Sequence, residues 1–151
     1  MILFNVIRSN TTPTASQDFF TIISNSTRSF GILELDAEGA GTSSAYTETG
    51  VYRVTTAGNT GGGAITPVPV NPASSAAGFT VDTTWTTQPT VGSLIQTMPI
   101  NSNGQRYFWR AMPNLSNAIW SPGGAVAAGT VSIRPITISG AITVRAQVGE
   151  I

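Results

Sequence analysis

The sequence contains no histidine, no cysteine and no lysine, and only 9% of its 151 residues are charged. An average soluble protein carries roughly 25%. Each absence removes a class of chemistry. Without histidine there is no Ser-His-Asp or Cys-His arrangement and no imidazole for zinc. Without cysteine there is no thiol nucleophile, thiolate cluster or disulfide, so cysteine usage says nothing about redox compartment. Without lysine there is no Schiff base and no phosphate-gripping lysine, and Gly61-Gly62-Gly63 reads as a flexible connection rather than a phosphate cradle. Seven arginines balanced by seven carboxylates give zero net charge, a poor footprint for nucleic acid. Carboxylates, hydroxyls and arginine are all that remain to do chemistry, so the expectation is no enzyme, no cofactor and no metal.

Long hydrophobic runs are missing too. Met1-Ile2-Leu3-Phe4-Asn5-Val6-Ile7 is apolar, but it is short, lacks a basic leader and meets Arg8 at once. It reads as neither a signal peptide nor a membrane span. Asn10-Thr11-Thr12, Asn25-Ser26-Thr27 and Asn114-Leu115-Ser116 fit the glycosylation pattern, as chance matches in a chain with 22 threonines and 15 serines.

What is present suits a β-protein. Hydrophobic residues make up 40% of the chain, with 16 glycines and 9 prolines, enough for one packed domain of ordinary size. Phe19 to Ser24, Ser29 to Leu35, residues 44–56, Phe79 to Trp85, Leu94 to Ile100, Arg106 to Arg110, Ala118 to Trp120, Thr130 to Arg134 and Ala141 to about Val148 all read as strands. In the last, Ile142, Val144, Ala146 and Val148 face one way and Thr143, Arg145 and Gln147 the other, because successive side chains leave opposite faces. Asn25-Ser26, Asp36-Ala37-Glu38-Gly39-Ala40-Gly41 and Ser121-Pro122-Gly123-Gly124 read as turns, and Asn101-Ser102-Asn103-Gly104 as a hairpin. No segment carries a 3.6-residue apolar repeat over three turns. The expected fold is an all-β sandwich, specifically a jelly roll. Residues 1–18 are expected as an extended N-terminal arm, with a first edge strand as the alternative, and 19–151 as a single domain interrupted by a long Pro-stiffened loop at 57–78.

Three clusters could carry chemistry. Glu34, Asp36 and Glu38 beside Gly39 supply calcium-type oxygens but lack the later bidentate glutamate of an EF-hand loop, so a solvated turn is the plainer reading. Glu34 and Glu38 as a hydrolase pair have no cleft to support them. Arg106-Tyr107-Phe108-Trp109-Arg110 could stack bases or sugars. Alternation, however, sends Tyr107 and Trp109 to one face and Phe108 to the other, and core filling accounts for at least one of them. Trp85 and Trp120 follow the same logic.

The order Arg28-Ser29-Phe30-Gly31-Ile32-Leu33-Glu34, Gly62-Gly63-Ala64-Ile65-Thr66-Pro67-Val68-Pro69-Val70-Asn71-Pro72, Thr84-Trp85-Thr86-Thr87-Gln88-Pro89-Thr90, a Pro-Gly-Gly turn and a terminal strand closing on Glu150 resembles small Thr/Ala/Gly-rich all-β proteins from the structural modules of tailed bacteriophages. The similarity spans about residues 28–151. It implies a virion protein of the capsid decoration or cement type: a homo-oligomer, often trimeric, seated on the major capsid protein at the phage head surface after assembly in the host cytoplasm. A charge-poor, net-neutral surface that favours association agrees with that. A carbohydrate- or receptor-binding module of a fibre or tail tip is the alternative, and an exposed aromatic patch with polar neighbours would favour it. Neither nucleic acid nor membrane is expected as a partner. The expected assembly contacts are Ile2, Leu3, Phe4, Val6 and Ile7 of the arm and Ile65, Val68 and Val70 of the loop. On that reading, deleting residues 2–8 weakens particle association while the domain still folds.

Overall fold

The computed structural model describes residues 1–24, 28–111, 118–121, 129–138 and 140–151, and among these it contains strands and no helix. In chain order the strands are β1 (Ile2–Thr11), β2 (Phe20–Ser24), β3 (Phe30–Gly39), β4 (Tyr46–Thr56), β5 (Asn59–Thr60), β6 (Val68–Pro69) and β7 (Phe79–Asp82). There follow β8 (Trp85–Thr87), β9 (Thr90–Asn101), β10 (Arg106–Arg110), β11 (Ile119–Ser121), β12 (Thr130–Thr137) and β13 (Ile142–Glu150).

One sheet runs β10-β3-β13-β1-β6, with β11 also paired to β3; the other runs β7-β2-β12-β4-β9; β5 and β8 form a separate ribbon. Without the short additions, eight strands remain in the orders β1-β13-β3-β10 and β2-β12-β4-β9. The last strand lies between the first and third, and the last but one of these eight lies between the second and fourth. That is the double Greek-key winding of a jelly roll.

Period-two patterning explains why these strands close on one core. Ile142, Val144, Ala146 and Val148 of β13 are all buried, and so are Phe4 and Val6 of β1 and Leu35 and Ala37 of β3. Phe20, Ile22, Val51, Met98, Ile100, Val131 and Ile133 meet them from the facing sheet. Phe79 of β7 joins the layers, its ring edge-on to Phe4 at 5.4 Å and 5.6 Å from Phe30. Aromatic pairs of this kind add about 0.5–1.5 kcal/mol beyond their buried area.

The N-terminal arm is not an arm. β1 pairs with β13 from Ile2↔Glu150 to Arg8↔Val144, and Phe4 and Val6 are fully buried. Their alternation with Asn5 suits a strand with one wet face, and β13 would otherwise present an unpaired edge in mid-sheet. The 57–78 segment is also tied down. Its Val68 and Pro69 form β6 beside Asn5 and Phe4, Ala64 bridges to Asp82, and the Ile65 N–H donates to the Val81 carbonyl. Pro69 sits where proline is tolerated, on a sheet edge.

Two turn expectations also change. Asp36 to Gly39 are strand, the end of β3, because β13 and β10 pair with their backbone on either side. Asn101 to Gly104 do turn, with Gly104 at φ +76°, but the turn is no hairpin: β9 and β10 belong to different sheets. It is a corner, and Ser102 pins it. The Ser102 N–H donates to the Ala45 carbonyl, its carbonyl accepts from Gly41, and its hydroxyl donates to the Ser43 carbonyl. The turns expected at Asn25-Ser26 and at Pro122-Gly123-Gly124, and the glycosylation patterns at Asn25 and Asn114, lie outside the described residues.

Gly39 meets this corner at its backbone. A Cβ there would stand 2.3 Å from the Asn101 carbonyl oxygen and 2.5 Å from the Ser102 carbonyl carbon. Main chain cannot swing away as a side chain can. Gly39→Ala is therefore expected to cost about 1–3 kcal/mol or more, read as a lower urea midpoint. An unchanged midpoint would show that the corner yields.

Candidate functional site

The outward face of the β10-β3-β13-β1-β6 sheet gathers Glu34, Asp36, Glu38, Arg106, Arg110 and Arg145, nearly half the charged residues of a charge-poor chain. The backbone places them. Arg145 of β13 stands opposite Asp36 of β3, and β10 sets Arg106 opposite Glu38, Phe108 opposite Asp36 and Arg110 opposite Glu34. On the other side Asn5 pairs with Gln147 and Ile7 with Arg145. Directly opposed residues have side chains on the same face, so one row crosses the sheet as Ile7, Arg145, Asp36, Phe108.

Each carboxylate is engaged. Arg106 grips Asp36 with two parallel bonds, Nε to Oδ1 at 2.7 Å and Nη2 to Oδ2 at 2.9 Å. Arg145 Nη1 donates to Asp36 Oδ2 and to Glu38 Oε2, both at 3.1 Å. Arg110 Nε donates to Glu34 Oε1 at 2.6 Å. The hydrogen bonds to Asp36, reinforced by its charge, raise the Arg106 guanidinium above its ordinary value. For Arg145 the bond to Glu38 is the largest cause of a similar rise. Pairs whose arginine is exposed, as here, contribute only about 0–1 kcal/mol each, although Asp36 itself is buried beneath its two arginines. Linked together, the pairs chiefly fix the geometry of the face.

Phe108 projects from this lattice, half exposed, with the guanidinium carbons of Arg106 and Arg110 5.9 and 5.8 Å from its ring centre. It borders an open depression of about 260 Å³ lined by Asn5, Ile7, Glu34, Asp36, Arg145 and Gln147 together with Arg106 and Phe108. A wider hollow of about 480 Å³ between Ser16 and Ile136 is lined mostly by aliphatic and hydroxyl groups. Its arginine, Arg134, is turned into a pair with Asp18.

Four residues along a strand separate the Glu34 and Glu38 backbones by about 13 Å, and each of the two carboxylates is bonded to an arginine. Among the described residues no group of three or more His, Cys, Asp or Glu could hold a metal ion.

Among the expected assembly residues, Phe4 and Val6 are core, and Ile2 and Ile65 pack against it from partly buried positions. Phe4 and Val6 cannot serve as contacts without opening the sandwich, whereas Ile2 and Ile65 keep part of their surface accessible. Leu3 is partly buried. Ile7, Val68 and Val70 are 46%, 59% and 50% exposed, all along the β1–β6 side of the same sheet. Tyr107 and Trp109 point inward against the core, where the Tyr107 hydroxyl accepts a bond from Gln96 Nε2 at 2.7 Å. Trp120 lies over Gly31. The charged lattice was the feature missed, because its partners come from strands up to 109 residues apart. No family model, no curated protein and no solved structure matches the chain.

Proposed function

We propose that this chain is a virion structural protein, a decoration or cement subunit that binds the major capsid protein of a tailed phage and copies of itself. The observation that carries the reading is the apolar strip Ile7, Val68 and Val70, which the jelly roll leaves in water at one margin of a neutral sheet face. Val68 opens and Val70 follows the short edge strand β6, stiffened by Pro67 and Pro69, so docking them orders little additional chain. The Arg-carboxylate lattice beside them resists non-specific adhesion while offering arginine and an aromatic ring, residue types that dominate interface energetics.

Co-sedimentation with heads assembled from the major capsid protein tests this. Val68→Asp combined with Val70→Asp is expected to weaken association at least tenfold, about 1.4 kcal/mol, with an unchanged melting curve because both side chains are exposed. Equal binding by the double variant would remove the strip from the interface.

A second reading, a carbohydrate- or receptor-binding module of a fibre or tail tip, is favoured by one specific observation. Phe108 stands half exposed among polar neighbours at the rim of a depression.

A further inference from the structure

We infer that the depression on the β10-β3-β13-β1-β6 face is a binding site for an uncharged sugar ring, held against Phe108 by Asn5, Gln147, Asp36 and Arg145. The inference rests on the second reading above and gives it a ligand class and a set of contacts.

Size sets the first limit. About 260 Å³ is below the roughly 300–1,000 Å³ of sites that enclose a drug-sized ligand. An open hollow of that volume takes one ring of a longer chain and leaves its neighbours in water.

Charge sets the second. Each charged side chain lining the hollow already faces an opposite partner: Arg106 and Arg145 hold Asp36, and Arg110 holds Glu34. An anionic ligand reaching a free guanidinium donor would also meet the Asp36 and Glu38 carboxylates beside it, and a cationic one the arginines. A neutral ligand is repelled by neither.

Hydrogen-bonding capacity then selects a polyol. A guanidinium has five donors and a carboxylate about four acceptor sites. The bonds from Arg106 and Arg145 occupy three of the sites on Asp36. Asn5 and Gln147 stand side by side on β1 and β13, and each amide offers both donors and acceptors. Hydroxyl groups, which donate and accept at once, fit such a mixed set. Phe108 supplies the apolar counterpart: its ring is flanked by the Arg106 and Arg110 guanidinium groups but half exposed, and that exposed part is what the C–H groups of a sugar can pack against, with Ile7 on the opposite side. All of these groups sit on paired strands, and Asp36 and Arg145 are further clamped by ion pairs, which reduces the side-chain freedom left to be lost on binding.

The test is a titration of the full isotope-labelled chain with methyl glucoside, methyl galactoside, methyl mannoside, lactose and maltose, alongside a sialylated and a sulfated saccharide. Backbone amide shifts provide the readout. At least one neutral sugar is expected to bind with a dissociation constant on the order of millimolar. Its shifts should be confined to residues 5–7, 34–38, 106–108 and 145–147. Phe108→Ala should weaken that binding about tenfold, and Phe108→Trp should retain it. No shifts from any neutral sugar, shifts elsewhere, preferential binding of the acidic saccharides, or an unaffected Phe108→Ala variant would each overturn the inference. Binding of the Phe108→Ala chain to heads is scored separately. Loss of sugar binding with head association intact upholds the site independently of the capsid reading. Loss of head association alone, without sugar binding, rejects the site while leaving the capsid reading in place.

Discussion

A chain lacking residues 2–8 is expected to lose its cooperative unfolding transition altogether. β1 lies between β13 and β6, so its removal strips one whole edge from β13 and leaves β6 with no partner. Phe4 and Val6 are fully buried, and each such side chain contributes about 1.5–3 kcal/mol. Taking them away also exposes Val148 and Ala146, their cross-strand neighbours, and strips Phe79 of its edge-on partner. Together with the lost backbone ladder, the deficit rivals the whole 5–15 kcal/mol by which domains are stable. Urea titration followed by tryptophan fluorescence is the measurement. A sharp transition close to that of the full chain would show β1 to be dispensable.

The second large effect is expected at Asp18. Its side chain is wholly inaccessible, and Arg134 Nε donates to Oδ1 at 2.6 Å. The Thr21 hydroxyl donates to the other oxygen, the Asp18 N–H donates to Gln88, and Arg134 Nη2 donates to the Pro89 carbonyl at 2.8 Å. This knot fastens the segments before β2 and after β8 to the β7-β2-β12-β4-β9 sheet. Asp18→Ala leaves a mostly buried guanidinium uncompensated, which costs about 3–5 kcal/mol. Glu34→Ala, breaking a pair whose arginine is exposed, should cost no more than about 1 kcal/mol. Chemical denaturation of both variants checks the contrast, and similar losses at the two sites would contradict it.

What the sequence disclosed and what it hid follow from the same physics. β13 was plain because Ile142, Val144, Ala146 and Val148 alternate with polar residues, and all four are buried while Arg145 and Gln147 between them keep some exposure. Tyr107 and Trp109 separated from Phe108 for the same reason. β1 was obscured because Leu3 and Ile7 are apolar on its outward face, which hides the period. The end of β3 read as a turn because Asp-Ala-Glu-Gly has turn chemistry locally, and only partners on β10 and β13 make it a strand. Those partners also compose the candidate site. Glu34, Asp36 and Glu38 alternate along β3 as Arg106 and Arg110 do along β10, but nothing local shows that these strands and Arg145 of β13 meet. The Asn-Gly signal was right about backbone conformation but silent about which sheet the next strand would join.

The pairing of Ile2 with Glu150 also has a consequence for the order in which the molecule can form. β1 is made early and its best partner, β13, some 130 residues later, so Phe4 and Val6 must wait uncovered while nearly all the intervening chain is synthesised. Sheets dominated by such distant pairings fold in milliseconds to seconds rather than microseconds. Throughout that interval an apolar strand with a free edge is open to the same strand of another newly made chain. Yield of soluble protein should therefore depend on expression rate and temperature more steeply than the stability of the finished sandwich would suggest.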